Sequence, residues 1–411
     1  MSAAVGWTPG QVGYCSNVHP TRDLAGLRAS IVRHFQTVRQ LRGLQEQDSG
    51  LWICAKAANE LQEASARAQF LELLRETGLR LTSLNGFPYG EFHAGAVKAE
   101  VYLPDWSMPE RLAYSLDLAR ILAQALPQDC AQGVISSVPV GYAAGWSPAL
   151  QERAEVHLRQ LTAGLAQLHR ETGRKVVFCL EMEPDCVLEN TSQAIDFFHH
   201  WQASDPHHGY LALCFDVCHQ AVMFEDCYRA LGELHQAGVP IGKIQLSNAM
   251  ICRLPTEDDQ RYRQVLEVLG EFCEATYLHQ VKVRDSEGRL KAWPDLPVAL
   301  DDCANHPGRY RELRIHFHVP LFSEHLLLPE LSGSQVALGQ TFDYLAAHDH
   351  LRPVLEVETY SWGVLPASLR PMDEQAQLQG IRAELQWVET RLLQRRLLCA
   401  HVQEACADAC P

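Results

Sequence analysis

Short apolar runs alternate with longer stretches in which apolar residues recur every three or four positions, from one end of the chain to the other. Period two marks a strand and period 3.6 a helix, so the pattern predicts strand–helix units in succession. GYCSNVHP leads into a helix from about Asp23 to Leu44, and LWICAKA into one from about Glu63 to Thr77. RLTSLNGFPYG precedes a helix from about Pro109 to Leu126, and GVISSVPVGY one from about Pro148 to Thr172. KVVFCLEMEP precedes a helix from Thr191, whose Thr/Ser start offers a capping hydroxyl. LALCFDVCH leads to a helix from about Glu225 to Gln236, GKIQLSN to one from about Glu257 to Glu274, and PVLEVETYSW to a long C-terminal helix from about Asp373. Eight such units predict an α/β fold, a (β/α)8 TIM barrel over a doubly wound open sheet.

One stretch breaks the repeat. Within 277–322, TYLHQVKVRDSEGRLKAWPDLP reads as a hairpin turning at Asp285 to Gly288, and RIHFHVPLF as a further strand, before a helical segment from about Gln335. Nine candidate strands then compete for eight places. Either RIHFHVPLF is an extra strand laid over the barrel mouth, or it is a barrel strand and KIQLSN is displaced. The favoured reading is an insertion, 277–322, over the mouth of a single domain spanning 1–411, because no Pro/Gly/Ser-rich linker marks a second domain.

Composition changes the picture little: 47% hydrophobic and 21% charged residues are ordinary for a globular protein. The formal charge of -15, from 35 basic and 50 acidic residues without a basic run, argues against nucleic acid as a partner. The N-terminus lacks a basic and an apolar leader region, and no window approaches the ~18 apolar residues of a membrane span, so a cytoplasmic location is expected. Most of the 14 cysteines sit inside apolar patterns, as at Cys54, Cys179 and Cys214, and are expected as reduced, buried thiols. Cys399, Cys406 and Cys410 fall near one helical face, which packing explains better than a metal cluster.

The chemistry lies where strands end. Five apolar segments carry a pair of polar residues two positions apart near their C-terminal ends: Glu181/Glu183, Asp216/Cys218, Gln245/Ser247, His316/His318 and Glu356/Glu358. Side chains two apart on a strand share a face, so parallel strands around one axis would bring acids, imidazoles and an amide to one mouth. Carboxylates share such a site only when something positive neutralises them, and the adjacent sequence offers few Lys or Arg at matching positions. A divalent metal, manganese, zinc or magnesium, answers this need. Asp216 ends its strand as a hard oxygen ligand, and His219 reaches the same centre as a ligand or as a donor to substrate. The bland alternative makes Asp216 a turn cap. Glu183 and Glu358 are expected nearer the metal, with Glu181 and Glu356 behind them. His316 and His318 are as readily a structural pair as ligands, and Gln245 is the weakest ligand candidate. At the mouths of the earlier strands lie Asn17, His19, Asn85 and His93, joined by His219 and Arg253 as candidate substrate-binding residues. Such groups suit a polyhydroxylated small molecule. GxGxxG, Walker A, GxSxG and HExxH motifs are absent from the sequence.

A glutamate ending the fifth strand, DxxH ending the sixth and a glutamate in ETYS ending the eighth resemble the xylose isomerase-like barrel superfamily. More closely, YCSNVHP, LNGFPYG, SSVP, LEMEP, QLSNA, HFHVPLF and LEVETYSW together resemble the metabolite traffic protein EboE family over residues 12–365. The resemblance implies a metal held by Glu183, Asp216 and Glu358 with a histidine completing the set. In the superfamily that histidine ends the seventh strand, where this chain has Gln245, and His318 or His316 would have to supply the imidazole. It also implies a sugar, sugar phosphate or cyclitol in a small-metabolite pathway, with possible pathway-protein partners. The leading expectation is therefore a metal-dependent isomerase or epimerase, in which Glu183 and Glu358 exchange a proton beside a carbonyl. A non-catalytic barrel that binds or hands over a metabolite is the alternative, which Gln245 favours slightly. Phosphodiester cleavage of the endonuclease IV kind is disfavoured by the acidic charge.

Overall fold

Runs such as VVFCL and LALCF are apolar at every position, which suits strands covered on both faces. The computed structural model, which describes residues 6–91, 93, 95, 97–255, 258–285 and 287–399, places them in a barrel wall. Strands β1 (Val12–Tyr14), β2 (Gln47–Trp52), β3 (Leu79–Asn85), β4 (Gln132–Ser137), β5 (Lys175–Glu181), β6 (Leu211–Asp216) and β7 (Ile241–Leu246) follow one another. Strands β8 (Met250–Arg253), β9 (Val281–Arg284), β10 (Leu290–Trp293), β11 (Glu312–Ile315) and β12 (Leu331–Gly333) build a second sheet, and β13 (Val354–Val357) returns to the first.

The first sheet has the order β1-β13-β7-β6-β5-β4-β3-β2, every neighbouring pair parallel. A parallel bridge between Cys15 and Gly50 joins its two edges. The result is a nearly closed eight-stranded barrel. At this seam β1 and β2 approach closely, and a Cβ on Gly13 would stand 2.6 Å from the Asp48 carbonyl oxygen. Helices at Ala64–Thr77, Pro109–Ala125, Pro148–Thr172, Thr191–Ser204 and Cys227–Gln236 link successive strands on the outside. The cap expected at Thr191 is instead Asn190, which forms a capping box with Gln193.

GKIQLSN holds the barrel place and RIHFHVPLF does not. The second sheet, ordered β10-β9-β11-β8-β12 and antiparallel, takes in more chain than 277–322. Its β8 starts directly after the Ser247–Ala249 turn that leaves β7, so the sheet stands on the C-terminal end of the barrel. The expected hairpin is β9–β10, with Leu290 opposite Arg284. Strand β11 ends at Ile315, so His316 and His318 lie in the segment leaving it.

Inside the barrel, Val134, Val177, Cys179, Ala212 and Cys214 form a small apolar plug. Above it Lys243, fully buried, donates to Glu356 at 2.7 Å and to Ser136 at 3.3 Å. Burial works against the ammonium charge, but Glu356, with Cys214 and Cys15 nearby, more than offsets it and holds Lys243 protonated. Gly50 makes room for this pair: a Cβ there would overlap the Glu356 carboxylate. Outside, the C-terminal helix Glu374–Gln394 is pinned by buried Glu384, which accepts from Leu321 N–H, Thr359 Oγ1 and Trp362 Nε1.

Removing one partner of a buried pair strands the other charge, at about 3–5 kcal/mol. Lys243→Met should therefore lower unfolding free energy by about that amount in urea titration, and adding Glu356→Leu should restore a large part of it. Equal stability of the single variant and wild type would show that the pair contributes nothing.

Candidate functional site

Five chain segments place their polar residues at the C-terminal end of the barrel. Glu181 is the last residue of β5 and Glu183 follows it; Asp216 ends β6; Ser247 follows β7; Glu358 follows β13. The segment after β11 brings His316 and His318 to the same point. Asp216 does serve as a cap: its Oδ1 accepts from the His219 N–H at 2.9 Å and from Ser247 Oγ at 2.7 Å. Its Oδ2 is buried without a partner and remains available to a ligand. Capping and ligation are two ends of one carboxylate.

The three imidazoles are oriented by what lies behind them. His219 Nδ1 is 2.8 Å from the Met182 carbonyl and His318 Nδ1 is 2.9 Å from the Glu358 carbonyl. Carbonyl oxygens only accept, so both rings carry the proton on Nδ1 and turn an Nε2 lone pair inward. His316 Nδ1 is 2.7 Å from Gln280 Oε1, which has the same effect. His219 Nε2 and His316 Nε2 then face each other at 3.1 Å, and His318 Nε2 is buried without a partner. Two lone pairs at that separation repel unless a cation or proton lies between them.

The ligand atoms of Asp216, His219 and His318 lie within 4.8 Å of one another, as do those of Glu183, His219 and His316, and of Cys218, His316 and His318. Burial, reinforced by Glu358 and Asp216, pushes the Glu181 carboxyl well above the usual carboxylate range. Burial and then Asp216 do the same to Glu358, and burial raises Glu183. Burial lowers His316 well below its ordinary value and His318 to about 4, so neither imidazole supplies positive charge near neutrality. Lys243, which partly offsets Glu181 and Glu358, is committed to Glu356. The expectation that cations were scarce at matching positions missed Lys243, two residues before Gln245 on the same face of β7.

A cavity of about 60 Å³ opens onto these groups, lined also by Asn17, Asn85, Phe87, Tyr102, Tyr277 and Tyr360. Asn17 and Asn85 donate to Glu358 Oε1 at 2.6 and 3.2 Å, and Tyr102 donates to Glu183 Oε1 at 2.5 Å. Other expected residues stand elsewhere. His93 sits behind Asn17, its Nε2 at 2.5 Å from the Asn17 carbonyl and its Nδ1 at 2.7 Å from Tyr277 Oη. His19 stacks on His34 and bonds Tyr14 Oη at 3.1 Å, outside the cavity lining. Arg253 is exposed on β8, with Glu312 3.6 Å away. Gln245 lies a layer below, its Oε1 accepting from the Cys214 thiol, and Glu356 is deeper still with Lys243. Tyr102, Tyr277, Gln280 and Tyr360 escaped the sequence reading. They come from the short 3₁₀ helices Lys98–Tyr102 and Tyr360–Gly363 and from the segment leading into β9, where no periodicity points inward.

These donors fit a divalent ion. Glu183 Oε2, Asp216 Oδ2 and His318 Nε2 are buried polar atoms with no hydrogen-bond partner, and each residue belongs to at least one of these overlapping donor groups. Each imidazole has its far nitrogen fixed, as metal-binding histidines do. Cys406 and Cys410 lie outside the described residues, and among the described residues no helix is long and apolar enough to cross a membrane.

Neither a family model nor a curated protein matches the sequence. Solved structures do match the fold. A xylose isomerase domain protein from Planctomyces limnophilus has a TM-score of 0.52 at 12% identity, covering 95% of this chain and 98% of that one. A xylose isomerase-like TIM barrel protein from Mycobacterium smegmatis, in complex with magnesium, has a TM-score of 0.51 at 13% identity, covering 95% of this chain and 100% of that one. At such identity the likeness carries architecture alone: the chain has the xylose isomerase-like TIM-barrel fold.

Proposed function

We propose that the barrel mouth holds one divalent ion and that the protein is an isomerase or epimerase of an uncharged sugar or cyclitol. The convergence of three inward-turned Nε2 atoms with unpartnered carboxylate oxygens carries this reading. Asp216, His219 and His318, whose ligand atoms lie within 4.8 Å of one another, would hold the ion, with His316 Nε2 at 3.1 Å from His219 Nε2 as the neighbouring donor. The Mycobacterium smegmatis protein was solved with magnesium; here the imidazoles among the donors favour zinc, and the carboxylate admits manganese. A divalent ion at this place supplies Lewis acidity to a substrate carbonyl and its neighbouring hydroxyl.

The rest is the work of the chain. Glu183 and Glu358 carry a proton between adjacent substrate carbons from strand ends three places apart around the barrel. Asn17 and Asn85 fix one oxygen of Glu358, and Tyr102 fixes one oxygen of Glu183 while its Oε2 stays unpartnered. Phe87, Tyr277, Tyr360 and Leu278 give an apolar wall for a sugar face. The cations at the rim are already engaged. Lys98 Nζ binds Asp295, at 2.8 Å, and two carbonyls, and Lys282 binds Asp185 and Glu189. A phosphate would meet the acids instead, which favours an uncharged substrate over a sugar phosphate.

A second reading, binding or hand-over of the metabolite without turnover, is favoured by one feature: Gln245 stands where the resemblance expects a histidine, and its oxygen is taken by Cys214. The likeness to the metabolite traffic family rests on the short motifs alone and supports the same substrate class.

Wild-type protein should carry about one equivalent of zinc or manganese by elemental analysis, and Asp216→Asn or His318→Gln should lower affinity at least about tenfold. Protein that stays metal-free after dialysis against both ions would end the metal reading. With an accepted ketose or keto-cyclitol in deuterium oxide, wild type should incorporate solvent deuterium beside the carbonyl. Glu183→Gln and Glu358→Gln should each slow that exchange by about 10²–10⁴-fold while still binding the ligand. Saturable binding of such ligands by loaded wild type with no exchange at all would support hand-over.

A further inference from the structure

Gln280 stands between two parts of the site. It is fully buried at the entry to β9, on the second sheet. Its amide nitrogen donates to the Pro184 carbonyl at 3.2 Å and to Tyr102 Oη at 2.8 Å; its Oε1 is 2.7 Å from His316 Nδ1. The Pro184 carbonyl only accepts, so this nitrogen must be the NH₂ group and the amide cannot be turned over.

Two proton positions follow from that orientation. Gln280 Oε1 only accepts, so His316 must carry its proton on Nδ1 and present Nε2 to His219, 3.1 Å away. Tyr102 Oη already receives a hydrogen from Gln280, so its own proton points to Glu183 Oε1 at 2.5 Å. Glu183 is thereby an acceptor at Oε1, and its unpartnered Oε2 is left to the cavity.

We infer that Gln280 is the positioning residue that fixes both the His316 tautomer and the direction of the Tyr102–Glu183 hydrogen bond, so that the second sheet sets the proton arrangement at the mouth. Gln280 is not among the residues lining the cavity; it acts through His316 and Tyr102. Gln280 thereby ties the second sheet to two connections of the barrel, at Pro184 after β5 and at Tyr102, the last residue of the short helix Lys98–Tyr102. The consequence for metal binding rests on the function proposed above, but the tautomer does not.

The experiment uses full-length protein labelled with ¹⁵N-histidine. In metal-free wild type, two-bond ¹H–¹⁵N spectra should show His316, assigned with His316→Gln, as the Nδ1–H tautomer. Gln280→Leu should release it to a mixture or to Nε2–H and weaken zinc affinity about 10–100-fold. Gln280→Glu, whose carboxylate accepts from Nδ1–H, should restore the Nδ1–H signature. An unchanged His316 signature in Gln280→Leu would overturn the inference, as would failure of Gln280→Glu to restore it in a folded protein. If the tautomer responds as stated while wild type binds no zinc, the positioning role stands and the metal reading falls.

Discussion

Charge balance at one end of the barrel governs the rest of the structure. Glu181, Glu183, Asp216, Glu356 and Glu358 are all buried there, and each needs a compensating partner because ionised groups removed from water are expensive. Only Glu356 has a full one, in Lys243. Glu183, Glu358 and Asp216 are eased by neutral donors, Tyr102, Asn17, Asn85, Ser247 and the His219 N–H, which orient carboxylates without cancelling their charge, while Glu181 Oε1 is buried without a partner. A site so arranged would be relieved by a cation, which is the physical ground for the metal proposed there.

The second sheet explains how imidazoles reach a barrel mouth whose seventh strand ends in Gln245 and Ser247. Because β8 leaves directly from β7, the sheet is anchored at the site, and the exit from β11 runs back over it. His316 and His318 then enter from above, with ring centroids 5.3 Å apart, while Phe317 between them turns to Phe272 and His279. Their backing groups, Gln280 and the Glu358 carbonyl, come from opposite sides of that junction. Sheet and barrel therefore share one hydrogen-bond network, and the site exists only where they meet.

Tuning follows from the same burial. It raises Glu181, Glu183 and Glu358 and lowers His316 and His318 together, which keeps both imidazoles uncharged near neutrality. In the proposed reading the groups that would move a proton, set by Tyr102 and the asparagines, stand beside those that would hold an ion, set by the Met182 and Glu358 carbonyls and the Gln280 side chain. An apolar wall of Phe87, Tyr277 and Tyr360 lowers the local dielectric and strengthens each of these interactions.

The sequence by itself determined the barrel and the end of it that carries the candidate site. Period-two and period-3.6 patterns are local consequences of which side chains are covered, and the pairs at Glu181/Glu183 and Glu356/Glu358 could be read because strand geometry fixes their facing. Asp216 and His219 were legible for the same reason, being three residues apart at a strand end. What only the tertiary structure decided is how those pairs divide: Glu356 goes down to Lys243, whereas Glu358 goes up to Asn17 and the cavity. It also decided that His316 and His318 leave their strand toward the mouth, that Arg253 and His19 stand apart from it, and that Gln280 and Tyr102 belong to it. Those outcomes depend on contacts between segments separated by 36 to 341 residues, as from Gln280 to His316 and from Asn17 to Glu358. No local periodicity encodes which distant backbone carbonyl or amide will stand behind a given side chain, and that choice sets where its proton and lone pair lie.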